Sequence, residues 1–327
     1  MSIEIPQVER SWPNRINQVV VGATQEQGGT RTSTVTVGGE STIPFYHFEG
    51  DMPHPPAVAM EVWDVPPEDW PAVLREPFGN AVATPGTWAK KCVQEFGAQL
   101  ICLRLAGCDP LGADRTPEEA AQAARQVLDA VGVPLIIWGC GKPEKDNEVF
   151  PVVAEAVAGE NCLLGTITED NYKTLTALGT AYGHRLIAES PVDINLAKQV
   201  NILALDAGYP LENLVIYPST GALGYGIEYV YSIMERTRIA GLQGDKAMAM
   251  PMLCDVGAEV WGVKEAKAPA EEVPQWGPPE LRGPLWEATT AYVYLAAGAD
   301  LVVMRHPQAV SAAQAAIRVL MGERGGR

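Results

Sequence analysis

Four carboxylates, Asp64, Asp109, Glu189 and Asp255, each stand where a short apolar run of the sequence ends. Carboxylates brought together from different strands can do general acid–base work, but the same positions also cap the helices that follow them. Of the four histidines only His306 ends such a run, and because Pro307 follows, a ring nitrogen there could equally cap a helix. His184 precedes an apolar run, while His47 and His54 belong to the N-terminal region. No two histidines have metal-ligand spacing. The six cysteines, Cys92, Cys102, Cys108, Cys140, Cys162 and Cys254, include no pair two residues apart, which excludes a zinc clip and the usual iron–sulfur run. Thiols inside runs such as Leu100–Leu103 are expected to be buried and reduced. The glycine-rich stretch Ser219-Thr220-Gly221-Ala222-Leu223-Gly224-Tyr225-Gly226 opens a helical pattern, where backbone N–H groups would suit a phosphate or an amide. It is no Walker loop, and a tight left-handed turn needs the same glycines.

The elements that would position these residues follow a regular alternation. Eight apolar runs read as strands: 58–65, 99–106, 134–139, 161–168, 185–190, 213–219, 247–254 and 300–305. Being apolar almost throughout, they predict a parallel sheet covered on both sides. Helical stretches separate them. Thr116-Pro117-Glu118-Glu119 has the form of a capping box with proline in the first turn, and Ser190-Pro191-Val192-Asp193 opens the helix after the fifth run in the same style. Gly132, Gly208 and Gly298 stand where helices should end in a left-handed residue. Eight strand–helix units over residues 57–323 fit a closed (β/α)8 TIM barrel, whose usual size is about 250 residues. An open doubly wound sheet would need a G-x-G-x-x-G turn after its first strand, whereas Asp64-Val65-Pro66-Pro67-Glu68 stands there.

Residues 1–56 lie outside the repeat and hold two β-like pieces, 18–22 and 32–37, joined around Gly28-Gly29, which predicts a hairpin appendage to a barrel of residues 57–327. The connection 255–283 is long, rich in proline and charge, and carries Trp261 and Trp276; a loop of that length is expected to have a task. In a barrel all strand ends share the ligand-binding face. The predicted ligand-facing set is therefore Asp64, Asp109, Gly139, Thr166, Glu189, Ser219, Thr220, Gly221, Asp255 and His306.

Composition narrows the partners. The chain of 327 residues carries 40 acidic and 24 basic side chains, a formal charge of −16, so neither nucleic acid nor an anionic membrane is an expected partner. Hydrophobic residues make up 47% of it, enough for a full core. No apolar run reaches bilayer length, and Met1-Ser2-Ile3-Glu4-Ile5-Pro6 is not a signal peptide by composition, so a cytoplasmic protein is expected.

Three strings carry a resemblance to a known family: 218–229 around the glycine-rich stretch, Ala258-Glu259-Val260-Trp261-Gly262-Val263-Lys264-Glu265-Ala266, and the Trp286-to-Arg305 segment. With 43–51 and 60–64, they resemble the small subunit of the corrinoid/iron–sulfur protein of the anaerobic acetyl-CoA (Wood–Ljungdahl) pathway and the related subunit of the acetyl-CoA decarbonylase/synthase complex. The resemblance implies a TIM barrel paired with a large subunit that carries a [4Fe-4S] cluster and most of the site of a corrinoid (cobamide). It implies that the corrinoid takes a methyl group from methyltetrahydrofolate through a separate methyltransferase and delivers it to acetyl-CoA synthase. This chain would cap the corrinoid and use no catalytic side chains of its own. It lacks the Asp-x-His-x-x-Gly cobalamin signature, in keeping with that division.

The rival enzyme readings are a pterin-binding barrel methyltransferase, which would hold methyltetrahydrofolate through Asp and Asn at several strand ends, and a Schiff-base barrel. The second needs a lysine inside a strand, and none of the eight runs has one. The 255–283 connection, with its two tryptophans, is expected to touch the large subunit or the corrinoid.

Overall fold

The computed structural model describes residues 8–322; the Met1-to-Pro6 stretch considered as a leader lies outside the described residues. Eight parallel strands form the barrel: β3 (Ala57–Trp63), β4 (Ile101–Arg104), β5 (Leu135–Trp138), β6 (Leu163–Ile167), β7 (Arg185–Glu189), β8 (Leu214–Tyr217), β9 (Leu253–Asp255) and β10 (Leu301–Met304). Neighbours pair in chain order, and β10 returns to pair with β3, Val302 opposite Val58. The last seam, between β8 and β9, is closed by one parallel bridge, Ile216 to Met252, where the Ile216 N–H donates to Pro251 O at 2.8 Å. The strands are apolar on both faces because one side packs on helices and the other fills the lumen.

A main helix follows each strand: α1 (Pro85–Phe96), α2 (Pro117–Ala130), α3 (Pro143–Ala156), α4 (Tyr172–Tyr182), α5 (Ile194–Asp206), α6 (Ile227–Leu242), α7 (Pro279–Ala297) and α8 (Pro307–Leu320). The capping box expected at Thr116 is present, with both reciprocal bonds between Thr116 and Glu119. Four expectations need correction. The seventh strand is only Leu253–Asp255, because 246–248 form a 3-10 turn capped by Asp245. The helix after β7 begins at Ile194, where Asp193 rather than Ser190 accepts the free N–H groups of Asn195 and Leu196. Gly132 is not left-handed; it is required because a Cβ there would lie 2.5 Å from Thr32 Oγ1. The 255–283 connection is not an open loop, since it folds into helical turns at Val256–Val260, Lys264–Lys267 and Pro274–Trp276 before α7.

The N-terminal hairpin, β1 (Gln18–Val21) against β2 (Val35–Gly38), closes the bottom of the barrel. Val19, Val21 and Val37 join one apolar cluster with the lumen residues Leu100, Ile136, Leu163 and Leu301. Polar contacts fix the plug. Asn161, at the foot of β6, receives the Gly22 N–H on its carbonyl at 2.8 Å and donates its side-chain amide to Val20 O at 2.9 Å. Arg31 pairs with Glu160 at 2.9 Å, both side chains buried, and donates to the free carbonyls Leu128 O and Val131 O at the end of α2. Breaking one member of a buried pair strands the other charge. Arg31→Ala should therefore cost about 3–5 kcal/mol in urea denaturation. A loss below about 1 kcal/mol would show that the plug is not fastened by this pair.

Candidate functional site

In a strand, alternate residues face the lumen, so the upper layer of the barrel is set by sequence parity. It consists of Glu61 and Trp63 from β3, Arg104 from β4, Trp138 from β5, Glu189 from β7, Tyr217 from β8, Asp255 from β9 and Arg305 just after β10. Glu61 is its centre. Arg305 donates to its Oε1 from Nη2 at 2.7 Å and from Nε at 3.1 Å, Arg104 donates from Nη2 to its Oε2 at 3.1 Å, and the Trp63 indole N–H donates to Oε1 as well. Arg104 also holds Asp255, at 2.5 Å. Burial alone would raise the Glu61 carboxyl, yet the two guanidinium groups bring it down to about 2. Burial has the upper hand at Asp255, whose carboxyl is raised despite Arg104.

Flat groups stack around these ions. The Arg104 guanidinium lies 4.9 Å from the Trp138 ring centre, and Trp138 meets Tyr217 edge to face at 5.1 Å. Arg305 lies 5.4 Å from the Trp63 ring and 4.9 Å from that of Trp70. The mouth thus has a floor of aromatic and guanidinium planes whose charges largely neutralise one another. Glu189 is the exception, because among the described residues no cation hydrogen-bonds to it. Thr166 donates its hydroxyl to Oε2, and burial, with Asp255 nearby, raises its carboxyl.

Behind Arg305 stands Glu287 on α7, which is fully buried. It accepts the Arg305 N–H on Oε1 at 2.5 Å, and the His306 N–H at 3.0 Å and the Trp261 indole N–H at 2.8 Å on Oε2. Trp261 stacks on the His306 ring at 5.9 Å. His306 is itself buried, accepts the Gln308 N–H on Nδ1 as the cap of α8, and is pushed down to about 4 by burial.

Of the residues expected to face a ligand, the structure brings Thr166, Glu189, Thr220 and Asp255 together: Thr220 Oγ1 accepts the Asp255 N–H at 2.9 Å, and Thr166 bonds Glu189. Ser219 sits beside them and donates to Ser190 O at 2.7 Å. The others are engaged within the chain. Asp64 accepts the Gly107 N–H at 2.8 Å, Asp109 closes its own turn onto Leu111 N, and Gly139 leaves room for Asp146, which gathers the N–H groups of Cys140 and Gly141. Gly221 donates to the Tyr294 hydroxyl at 2.8 Å, so its N–H is not open to a phosphate. Trp261 is buried, which removes it as a contact for a partner; Trp276 remains 39% exposed. Sequence reading missed Glu61, Arg104, Trp63, Glu287 and Asp146. A charge in mid-run, as in Met60-Glu61-Val62 and Leu103-Arg104-Leu105, was the available signal for the first two. The six cysteines are free, five of them buried, and no helix among the described residues is long and apolar enough to cross a membrane.

The sequence model of the family described as CO dehydrogenase/acetyl-CoA synthase delta subunit matches residues 18–268, more than half of the chain. The chain belongs to this family. The acetyl-CoA decarbonylase/synthase complex subunit delta of Archaeoglobus fulgidus is 40% identical over 97% of this chain and 71% of its own length. That of Methanosarcina mazei is 37% identical over 95% and 72%. Among solved structures, the dihydropteroate synthase of Coxiella burnetii in complex with pteroic acid aligns with a TM-score of 0.55 at 14% identity, over 83% of this chain and 94% of that one. A dihydropteroate synthase of Xanthomonas albilineans aligns with a TM-score of 0.54 at 14% identity, over 84% and 96%. At such identity the likeness shows a shared barrel, and this delta-family chain presents its own mouth on it.

The buried acid gives a pH test. Burial raises the Glu287 carboxyl to about 7, although its N–H donors pull the other way. A folded value above the unfolded one stabilises at low pH and is lost as pH rises through 7. Between pH 4.5 and 7 this site should remove up to about 3 kcal/mol. The difference in unfolding free energy between Glu287→Gln and the parent, in which the opposite slope of His306 cancels, should shrink by that amount over this interval; a constant difference would refute the assignment.

Proposed function

We propose that this chain is the corrinoid-capping subunit of a methyl-carrier complex in the acetyl-CoA pathway, with the barrel mouth laid against a corrinoid held mainly by a larger companion. Membership of the delta-subunit family and the relatives' names as complex subunits support an assembly that includes acetyl-CoA synthase. The observation that carries the reading is the mouth: Glu61 and Asp255 are already paired with Arg104 and Arg305, so the floor of the barrel mouth is internally neutralised apart from Glu189.

The donor set suits the edge and face of a tetrapyrrole. Trp63 is half-buried at the rim of the floor, Asp255 Oδ1 and Ser190 Oγ are buried without hydrogen-bond partners, and a cavity opens beside Glu189. In this reading the metal is held by the macrocycle and the companion. When bound, the corrinoid supplies cobalt as the methyl-accepting and methyl-donating centre. The residues of this chain contribute a rigid wall. Glu61, locked by two arginines, keeps Arg104 and Arg305 from reaching out of the mouth, and the Trp63, Trp138 and Tyr217 rings exclude water from the surface above them. The iron–sulfur cluster belongs to the large subunit, methyltetrahydrofolate is served by a separate methyltransferase, and the complex works in the cytoplasm.

The pterin reading shares the barrel but fits the mouth less well, because a pterin ring needs carboxylates free to accept its N–H groups, and two of the three inward acids are spent on arginine. Gel filtration tests both readings. Corrinoid absorbance should co-elute only with a complex of this chain and its large companion, and Trp63→Phe should reduce the quenching of indole fluorescence on assembly. Transfer of a methyl group from methyltetrahydrofolate to free cobalamin by the chain alone would overturn the proposal.

A further inference from the structure

Glu189 opens onto a cavity of about 330 Å³ at the ends of β6, β7 and β8. Its walls are of two kinds. Pro191, Leu196 and Val200 are apolar, whereas Thr168, Ser219, Glu169, Asp170 and Glu189 are polar or acidic, and no lysine or arginine lines it. Glu189 occupies the end nearest the mouth. Its Oε2 is taken by Thr166, and Oε1 accepts nothing among the described residues. Next in the chain, Ser190 is 1% exposed and its hydroxyl has no partner.

A pocket of this size is at the small end for a whole ligand and is too small for a macrocycle, but it adjoins the mouth at Glu189 and reaches Leu196 and Val200 of α5. An acid without a cation favours an N–H donor and repels a second carboxylate. Burial has raised the Glu189 carboxyl, so an arriving N–H donor would recover ionisation that the empty site disfavours. Short methylenes would pack on Leu196 and Val200. We propose that this cavity seats a carboxamide arm at the edge of the corrinoid and that Glu189 distinguishes the amide from a carboxylate. The inference rests on the corrinoid reading of the mouth. A lysine ammonium from the companion subunit would satisfy the same acid, and the test separates the two.

The complex of this chain with its large companion is titrated spectrophotometrically with cobinamide and with the separated monocarboxylates obtained by hydrolysing single amide arms. With the parent chain at least one monocarboxylate should bind about 10-fold or more weaker than cobinamide. Glu189→Gln, which can still accept from Thr166 and can donate to a carboxylate, should narrow that ratio to about 3-fold or less. Circular dichroism and melting of the variant complex establish that it is folded. An unchanged ratio in the variant, or no discrimination by the parent, overturns the arm assignment while leaving the capping role intact. Weakened assembly of the variant with unchanged discrimination assigns the cavity to a companion lysine and overturns it equally. A parent complex that retains no corrinoid at all removes the capping role itself and the arm with it.

Discussion

A carboxylate at the centre of a barrel cannot stand alone, and the pinning of Glu61 by Arg104 and Arg305 governs how the mouth of this protein is built. An isolated ionised group there would neutralise itself by taking a proton. Two guanidinium groups reverse that outcome, but each then needs its own surroundings. Arg305 lies against Trp63 and Trp70, and Arg104 against Trp138 and Asp255. One buried acid therefore dictates six neighbours from six different strands and loops, and the result is a stiff polar layer above an apolar lumen.

That layer is braced from outside. Glu287 receives the backbone N–H groups of Arg305 and His306 and the indole N–H of Trp261, so the chain direction after β10 is fixed by a helix that precedes it in sequence. The connection between β9 and α7 supplies Trp261 and is therefore part of the core. At the opposite end the hairpin seals the lumen through three valines and the Arg31–Glu160 pair. A barrel plugged below and ion-paired above presents its lumen to ligands only at the mouth.

The shape shared with dihydropteroate synthases is a scaffold, and on such a barrel function resides in the strand ends. Strand ends are free to vary because stability comes from the lumen and the helix layer. In this chain the strand ends have been used mostly on internal bonds: Asp64 on Gly107, Asp146 on the Gly139–Gly141 turn, Gly221 on Tyr294. Glu189 and its cavity are where side-chain chemistry remains available.

The order of elements was legible in the chain itself, because an apolar run with helical stretches on both sides has one stable use, a covered parallel strand, and eight in succession close a barrel. The capping box at Thr116 was equally plain, since its bonds join residues three apart. The short strand β9 and the start of α5 were read too generously because the caps that decide them, Asp245 and Asp193, compete locally with the apolar pattern. The site was legible only as a list of strand ends. Which of those residues face one another depends on strand parity and register: Glu61 meets an arginine 244 positions later, and Arg104 of β4 meets Asp255 of β9. Contacts between residues that far apart leave no local pattern in the sequence. The physical demand to pair buried charge is satisfied only once the barrel has closed.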